Sequence, residues 1–398
     1  MSRGELFGSL LAMVFLVNFV RVVFAPLLQP LAAEFHVTAA SLGVVTSAAW
    51  LGSAAPRLPT GWALTRIDRH RVIAGTGALL VVTATYTALA SSVTHLALGA
   101  FLMGLSSGAY FVAANPLVSE LFPERISRVI GVHGLARQLA AVLAPLIVAV
   151  FLYLADWRTT FLGVAVAAGL STLLLLYAAR WTTLPTAGLQ DRSLRSAARS
   201  EWPVVLTGVV FIGGVGFLWN GFFNLYGDYL TLAKGLDPAT GRLLLSLLFA
   251  AGLPAFLLAG RFGQLYPYVP LLVVYILGFV GSVVGLTFVG GLWGIAALSL
   301  LTGFSFYLIV PTLDTYLLSS LPDHHRGSAY AVYSAVMMLI TATGSGVIGT
   351  AVTRGVAYST LFRIIAVLVG GTAVAMLVLY RLGWLPDGRS RGRGSAGA

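Results

Sequence analysis

Arg57–Val72, RLPTGWALTRIDRHRV, is a short arginine-rich turn set between two long apolar runs, 41–58 and 72–90. Gly61 permits close backbone approach at such a turn. Runs of that length joined by so few polar residues leave no room for a water-facing surface. The composition agrees: 58% of the residues are apolar and 9% charged, against about 25% charged in soluble domains. Several runs approach or exceed the ~18–20 residues that a helix needs to cross a bilayer. Each is too long for a barrel strand, and helices satisfy their own backbone in lipid. The chain is expected to be an all-α membrane protein.

Working outward from the turn, Pro, Gly and charge punctuate twelve transmembrane helices. Six cover 6–28, 41–62, 72–91, 96–118, 129–152 and 159–180, and six more cover 204–227, 241–260, 269–289, 292–318, 328–351 and 359–381. The expected organisation is a first six-helix bundle at 1–180, a polar cytoplasmic linker at 181–203, a second bundle at 204–381 and a basic, disordered cytoplasmic tail at 382–398. The two sets repeat one another. A shift of 199 places Gly61 on Gly260, Gly104 on Gly303, Ser106 on Ser305 and Pro123 on Pro322. Parallel halves of six spans are the internal symmetry of many secondary transporters.

Charge sets the orientation. With both termini inside, most of the 24 basic residues lie in cytoplasmic loops. The opposite loops keep Arg158, Lys234, Arg242 and Arg354, while Arg21, Arg137 and Arg363 fall within spans. That bias is the positive-inside pattern, so both termini are expected in the cytoplasm of a cell-membrane protein. Trp62, Trp157, Trp181, Trp202 and Trp384 stand near span ends, where interfacial anchors belong. The N-terminal run carries Arg3, Glu5, Asn18 and Arg21 without a small-x-small site, so it is read as the first span and not a cleaved signal. There is no cysteine, which excludes disulfides. A formal charge of +11 spread over loops is topology, so no nucleic-acid partner is expected.

Pro59, Gly61, Arg66, Arg69 and Arg71 resemble the signature loop between spans 2 and 3 of the major facilitator superfamily, roughly Gly-x-Leu-x-Asp-Arg-x-Gly-Arg-Arg. Thr65 stands where that family prefers Asp, and Asp68 where it prefers Gly. Asp156-Trp157-Arg158-Thr-Thr-Phe161 is similar to the opening of its span 6, and 122–128 and 321–327 to its 4–5 and 10–11 loops. The resemblance covers nearly the whole chain. It implies two pseudo-symmetric six-helix bundles, a central cavity lined by spans 1, 4, 7 and 10, and a cytoplasmic gate at Gly61, Arg66, Asp68, Arg69 and Arg71. Pro145 lacks the glycine neighbours of the drug-antiporter motif, since Ala144, Ile147 and Val148 surround it.

Metal-ligand spacing, a nucleophile elbow and a phosphate-cradling loop are all missing from the sequence, so neither an enzyme nor a cofactor or metal is expected. The informative residues are polar groups at bilayer depth, where charge is costly. Arg21 lies about 22 Å along span 1 at ~1.5 Å per residue, with Asn18 on the same face. Arg137 lies inside span 5, one turn after His133. Guanidinium forks suit oxyanions, so both arginines are substrate candidates, the alternative being pairing that holds helices together. Asn220 and Asn224 lie one turn apart in span 7 and either grip polar substrate groups or bond between spans. Tyr110, Tyr307, Tyr330 and Tyr333 are wall candidates or packing residues.

Asp314 and Asp228 are candidates for coupling or gating; Asp314 has a loop salt bridge to Arg326 or Arg261 as its alternative, and Asp228, at the outer end of span 7, a solvated placement. His133 titrates near neutral pH when solvated or packs as a hydrogen-bonded core residue. The expected function is a secondary active transporter of a small organic or inorganic anion, monomeric, with protons as a candidate coupling ion. Alternatives are a proton-coupled exporter of amphiphiles and, more remotely, a non-transporting receptor on the same fold.

Overall fold

The computed structural model describes residues 3–64, 66–122, 126–182, 199–321 and 326–385. The linker core at 183–198, the tail from 386, Thr65 and the loop residues 123–125 and 322–325 lie outside the described residues, as does the Arg326 side chain. Everything regular in the described residues is helical. Among the described residues, eleven helices are long and apolar enough to cross a membrane, from Arg3–Val22 to Tyr358–Arg381. Their outer faces are greasy: Leu257 and Val367 are 80% and 70% exposed. Such faces identify lipid as the solvent.

The second expected span, 41–62, is not one long helix. It runs as a short 3-10 turn, Ala39–Leu42, then Gly43–Ala54, then Arg57–Ala63. Pro56 accounts for the interruption, since it offers no N–H and its ring crowds the preceding turn. The same cause operates elsewhere. Pro26 follows the break between Arg3–Val22 and Phe24–Glu34, and Pro254 the break between Pro238–Ala250 and Gly252–Leu265.

Polar residues start the helices. Ser92 and Asp156 accept from the backbone N–H of His95 and Thr159 at 3.2 and 3.1 Å, supplying orphan donors with partners. Asp237 does the same for Pro238–Ala250. Its carboxylate takes the Thr240 hydroxyl at 2.6 Å and the N–H groups of Thr240 and Ala239 at 3.0 and 2.9 Å. The Thr240 bonds hold the Asp237 carboxyl below its usual range.

The chain forms two compact units. The first comprises 1–190, Asn220–Ser246 and Ala342–Gly355; the second comprises 191–219, Leu247–Thr341 and Val356 onward. In the first unit, Gly43–Ala54 lies against Val93–Leu121 at backbone distance. Gly104 faces the Ala49 carbonyl, Gly108 the Ser53 carbonyl and Gly52 the Phe101 carbonyl, all closer than a side chain allows. Small residues permit this approach in lipid. Gly104→Val is therefore expected to force the helices apart, at about 1–3 kcal/mol for overpacking. A lowered unfolding temperature in detergent checks it, and an unchanged one would mean the contact is slack.

The first unit also gathers the far end of Trp202–Lys234 and the whole of Gly344–Thr353. Ser345 Oγ lies 2.6 Å from Thr46 Oγ1 and 3.1 Å from Ser47 Oγ, and Ser47 Oγ accepts from Gly346 N–H at 2.8 Å. Gly43 packs on the Ser345 carbonyl and Gly349 on that of Ala40. Gln29 donates to Thr231 Oγ1 at 2.6 Å. In the second unit, Trp219 stacks on Phe306 at 3.9 Å and 6°, with Phe249, Phe279 and Tyr307 around it.

Four of the five tryptophans expected at interfaces, Trp62, Trp181, Trp202 and Trp384, are exposed. Trp157 is not. It is buried against Phe35 and Phe161, each 6.0 Å away, because its place at the first turn of Trp157–Arg180 points it into the bundle.

Candidate functional site

Arg21 stands in the last turn of Arg3–Val22 and is 7% exposed. Its guanidinium carbon lies 4.1 Å from the centroid of Trp50 and 5.6 Å from that of Phe111. The guanidinium of Arg137, on Ile126–Leu154, lies 6.0 Å from the same Phe111 ring. The structure thus brings both candidate arginines onto one aromatic side chain. Stacked rings attract a cation electrostatically by about 0.5–2 kcal/mol and do so without water. Arg57 also contributes its charge to this region, and its Nε donates to the Ser53 carbonyl at 3.3 Å.

Asn18 lies on the same face as Arg21, and its Nδ2 donates to the backbone carbonyl of Arg137 at 2.9 Å. That bond ties the first and fifth spans together beside the arginines. Next to it, Tyr110 donates its hydroxyl proton to the Leu10 carbonyl at 2.7 Å. The phenol has one proton, so at the 3.1 Å contact with His133 Nε2 it accepts and the histidine donates. The His133 and Tyr110 rings are also stacked. Both side chains are buried, in a packed arrangement that links three helices.

The asparagine pair has a different place. Asn220 Oδ1 accepts from the Ser345 N–H at 3.1 Å, at the helix start after the interruption at Thr343. Asn224 Nδ2 donates to the Asn220 carbonyl one turn back, at 2.9 Å. Both are fully buried, and Phe223 between them packs edge-on against Trp50 at 6.0 Å. The Arg21 and Asn220 groups therefore belong to one compact unit, joined through Trp50 and Phe223.

The remaining candidates lie in other surroundings. Tyr307 packs on Trp219 and Phe256 at 5.6 Å each. Tyr330 and Tyr333 face one another at 5.6 Å, and the Asp314 charge acts on Tyr333. Asp314 is half-buried, whereas Asp228 is buried. Burial excludes the solvated placement expected for Asp228 as an alternative. Among the gate-loop residues, Arg66 covers the Trp62 ring at 4.1 Å and Arg71 pairs with Asp68 at 3.4 Å. Gly61 lies in the Arg57–Ala63 helix with open space where a Cβ would stand. A cavity of about 260 Å³ in the second unit, lined by Phe211, Val215, Ile276 and Val369 among others, has no charged group and lies apart from this chemistry.

Trp50 and Phe111 were not legible as site residues. An aromatic inside an apolar run carries no sequence signal that separates a cation's partner from ordinary packing.

The family model for the Major Facilitator Superfamily matches residues 10–345. Among solved structures, a bacterial homolog of the human lysosomal transporter Spinster, inward-facing and occupied, is similar at a TM-score of 0.75 and 16% identity, covering 96% of this chain and 96% of that one. A POT family transporter in complex with 5-aminolevulinic acid is similar at a TM-score of 0.76 and 13% identity, covering 94% and 96%. The nucleoside transporter NupG, in mutant form, reaches 0.73 at 13% identity, covering 94% and 100%. At these identities the likeness is one of fold. Comparison with curated proteins finds no match.

Proposed function

The chain belongs to the Major Facilitator Superfamily, and from that premise we propose that it is a secondary active transporter of a small anion. In this reading twelve crossings form two six-span halves, 1–180 and 204–381, that alternate access to a site between the membrane faces. The arginine bias places both termini in the cytoplasm. The contacts of Gly43, Ser47 and Gln29 with Ser345, Gly346 and Thr231 then close the outer side. Opening to the outside requires them to separate.

The observation that carries the reading is the placement of Arg21 and Arg137, each on a helix long and apolar enough to cross a membrane, beside one phenylalanine. Holding two guanidiniums close together at low dielectric raises the local potential, and an incoming anion lowers it. A charge in that position is expensive and calls for a function. Asp228 and Asp314 are the acids on which proton coupling would act.

A thermal-shift screen of purified protein tests this. Acetate, benzoate, phosphate, glucose and tetraphenylphosphonium are compared on the native chain, Arg21→Gln and Arg137→Gln. Ligand held by the folded state raises apparent stability. The expected result is stabilisation by an anion that disappears in both variants. Stabilisation by tetraphenylphosphonium, unchanged in the variants, overturns the anion reading in favour of an amphiphile exporter.

A further inference from the structure

The groups beside Arg21 are of two kinds, and their division says what sort of anion fits. Trp50 and Phe111 supply apolar ring surface beside the guanidinium, and Phe223 packs edge-on against Trp50. Trp50 and Phe111 are only half-buried although they lie well inside their helices. The polar remainder is sparse. The Trp50 indole N–H is buried with no hydrogen-bond partner among the described residues, and so is the Asn220 amide nitrogen, whose oxygen is held by Ser345. Asn220 and Phe223 are three residues apart on one helix and share a face.

An inorganic oxyanion is polar on every side. Entering here it would exchange water for ring faces over much of its surface, at the cost of unreplaced hydrogen bonds. An organic acid is polar at one end only. Its carboxylate suits a guanidinium fork, while the Trp50 and Phe111 ring centroids lie 4.1 and 5.6 Å from the Arg21 guanidinium carbon. Its body then lies against the rings, where apolar area leaves water favourably.

We propose that the substrate is an organic monocarboxylate with a flat apolar body, of benzoate's chemical class, and that Trp50 and Phe111 are the residues that select it. This rests on the anion reading of Arg21 and narrows it. Trp50 acts twice, stacking on Arg21 and offering its indole N–H as a donor. The Phe111 ring centroid lies within 6.0 Å of both guanidinium carbons, so the ring joins the two arginines into one cationic and apolar surface.

Isothermal titration of the full-length protein with benzoate, acetate, succinate and inorganic phosphate decides the matter. Benzoate is expected to bind at least tenfold more tightly than acetate and more tightly than succinate or phosphate. Trp50→Leu and Phe111→Leu should reduce the benzoate-to-acetate ratio toward one, whereas Arg21→Gln should weaken both acids together. Acetate, succinate or phosphate binding as well as benzoate overturns the proposal and leaves the anion reading standing. Binding of none of the four, with the protein folded, removes the anion reading itself. If either leucine variant fails to fold, the native affinities and the other variant still decide.

Discussion

A chain carrying both Ser47→Cys and Gly346→Cys is expected to form an internal disulfide under mild oxidation and to lose transport, with both effects reversed by dithiothreitol. A Cβ built on Gly346 stands 3.4 Å from the Ser47 Cβ, close to the ~3.5–4.5 Å that a disulfide requires. The native chain has no cysteine, so no other thiol competes and each single variant serves as a control. Ser47 lies on Gly43–Ala54 and Gly346 on Gly344–Thr353, the two segments that must part if the outer side opens. A covalent link between them removes the open state altogether. Uptake into proteoliposomes should fall to background in the oxidised double variant alone. A crosslinked protein that transports at the native rate would mean that this contact does not open during the cycle.

The second large effect is expected at Arg21. Arg21→Gln should weaken anion binding by about 1.5–3 kcal/mol, the usual worth of a hydrogen bond to a charged group, or roughly 10- to 150-fold in Kd. Arg21→Lys keeps the charge but loses the planar fork and the stacking on Trp50, so it should recover only part of the affinity. Stability should move less than binding. The variant loses a cation–π contact of about 0.5–2 kcal/mol, yet it also removes a buried charge beside Arg137. Titration of benzoate measures the first quantity and thermal unfolding the second. Binding unchanged in Arg21→Gln, with unfolding strongly shifted, would return this arginine to a structural role.

The span pattern was legible because each apolar run had to house its own backbone hydrogen bonds in lipid, and that requirement is local. Arg21 and Arg137 stood out for a similar reason, since a lone charge in such a run is visible in one dimension. The asparagine pair was legible only as a pair. Whether Asn220 faced a substrate or another helix depended on Ser345, 125 residues away. The interruption of the second span was also within reach in principle, as Pro56 was in view, but hydropathy is blind to a missing N–H.

The sequence by itself determined an all-helical membrane chain and its family, because hydropathy and the turn at Arg57–Val72 act over a few residues each. Only the tertiary structure decided that both arginines share Phe111, that Trp50 covers Arg21, and that Gly43 and Ser47 meet Ser345 and Gly346. Those contacts join residues far apart in the chain, and they follow from how closely small residues let the helices approach.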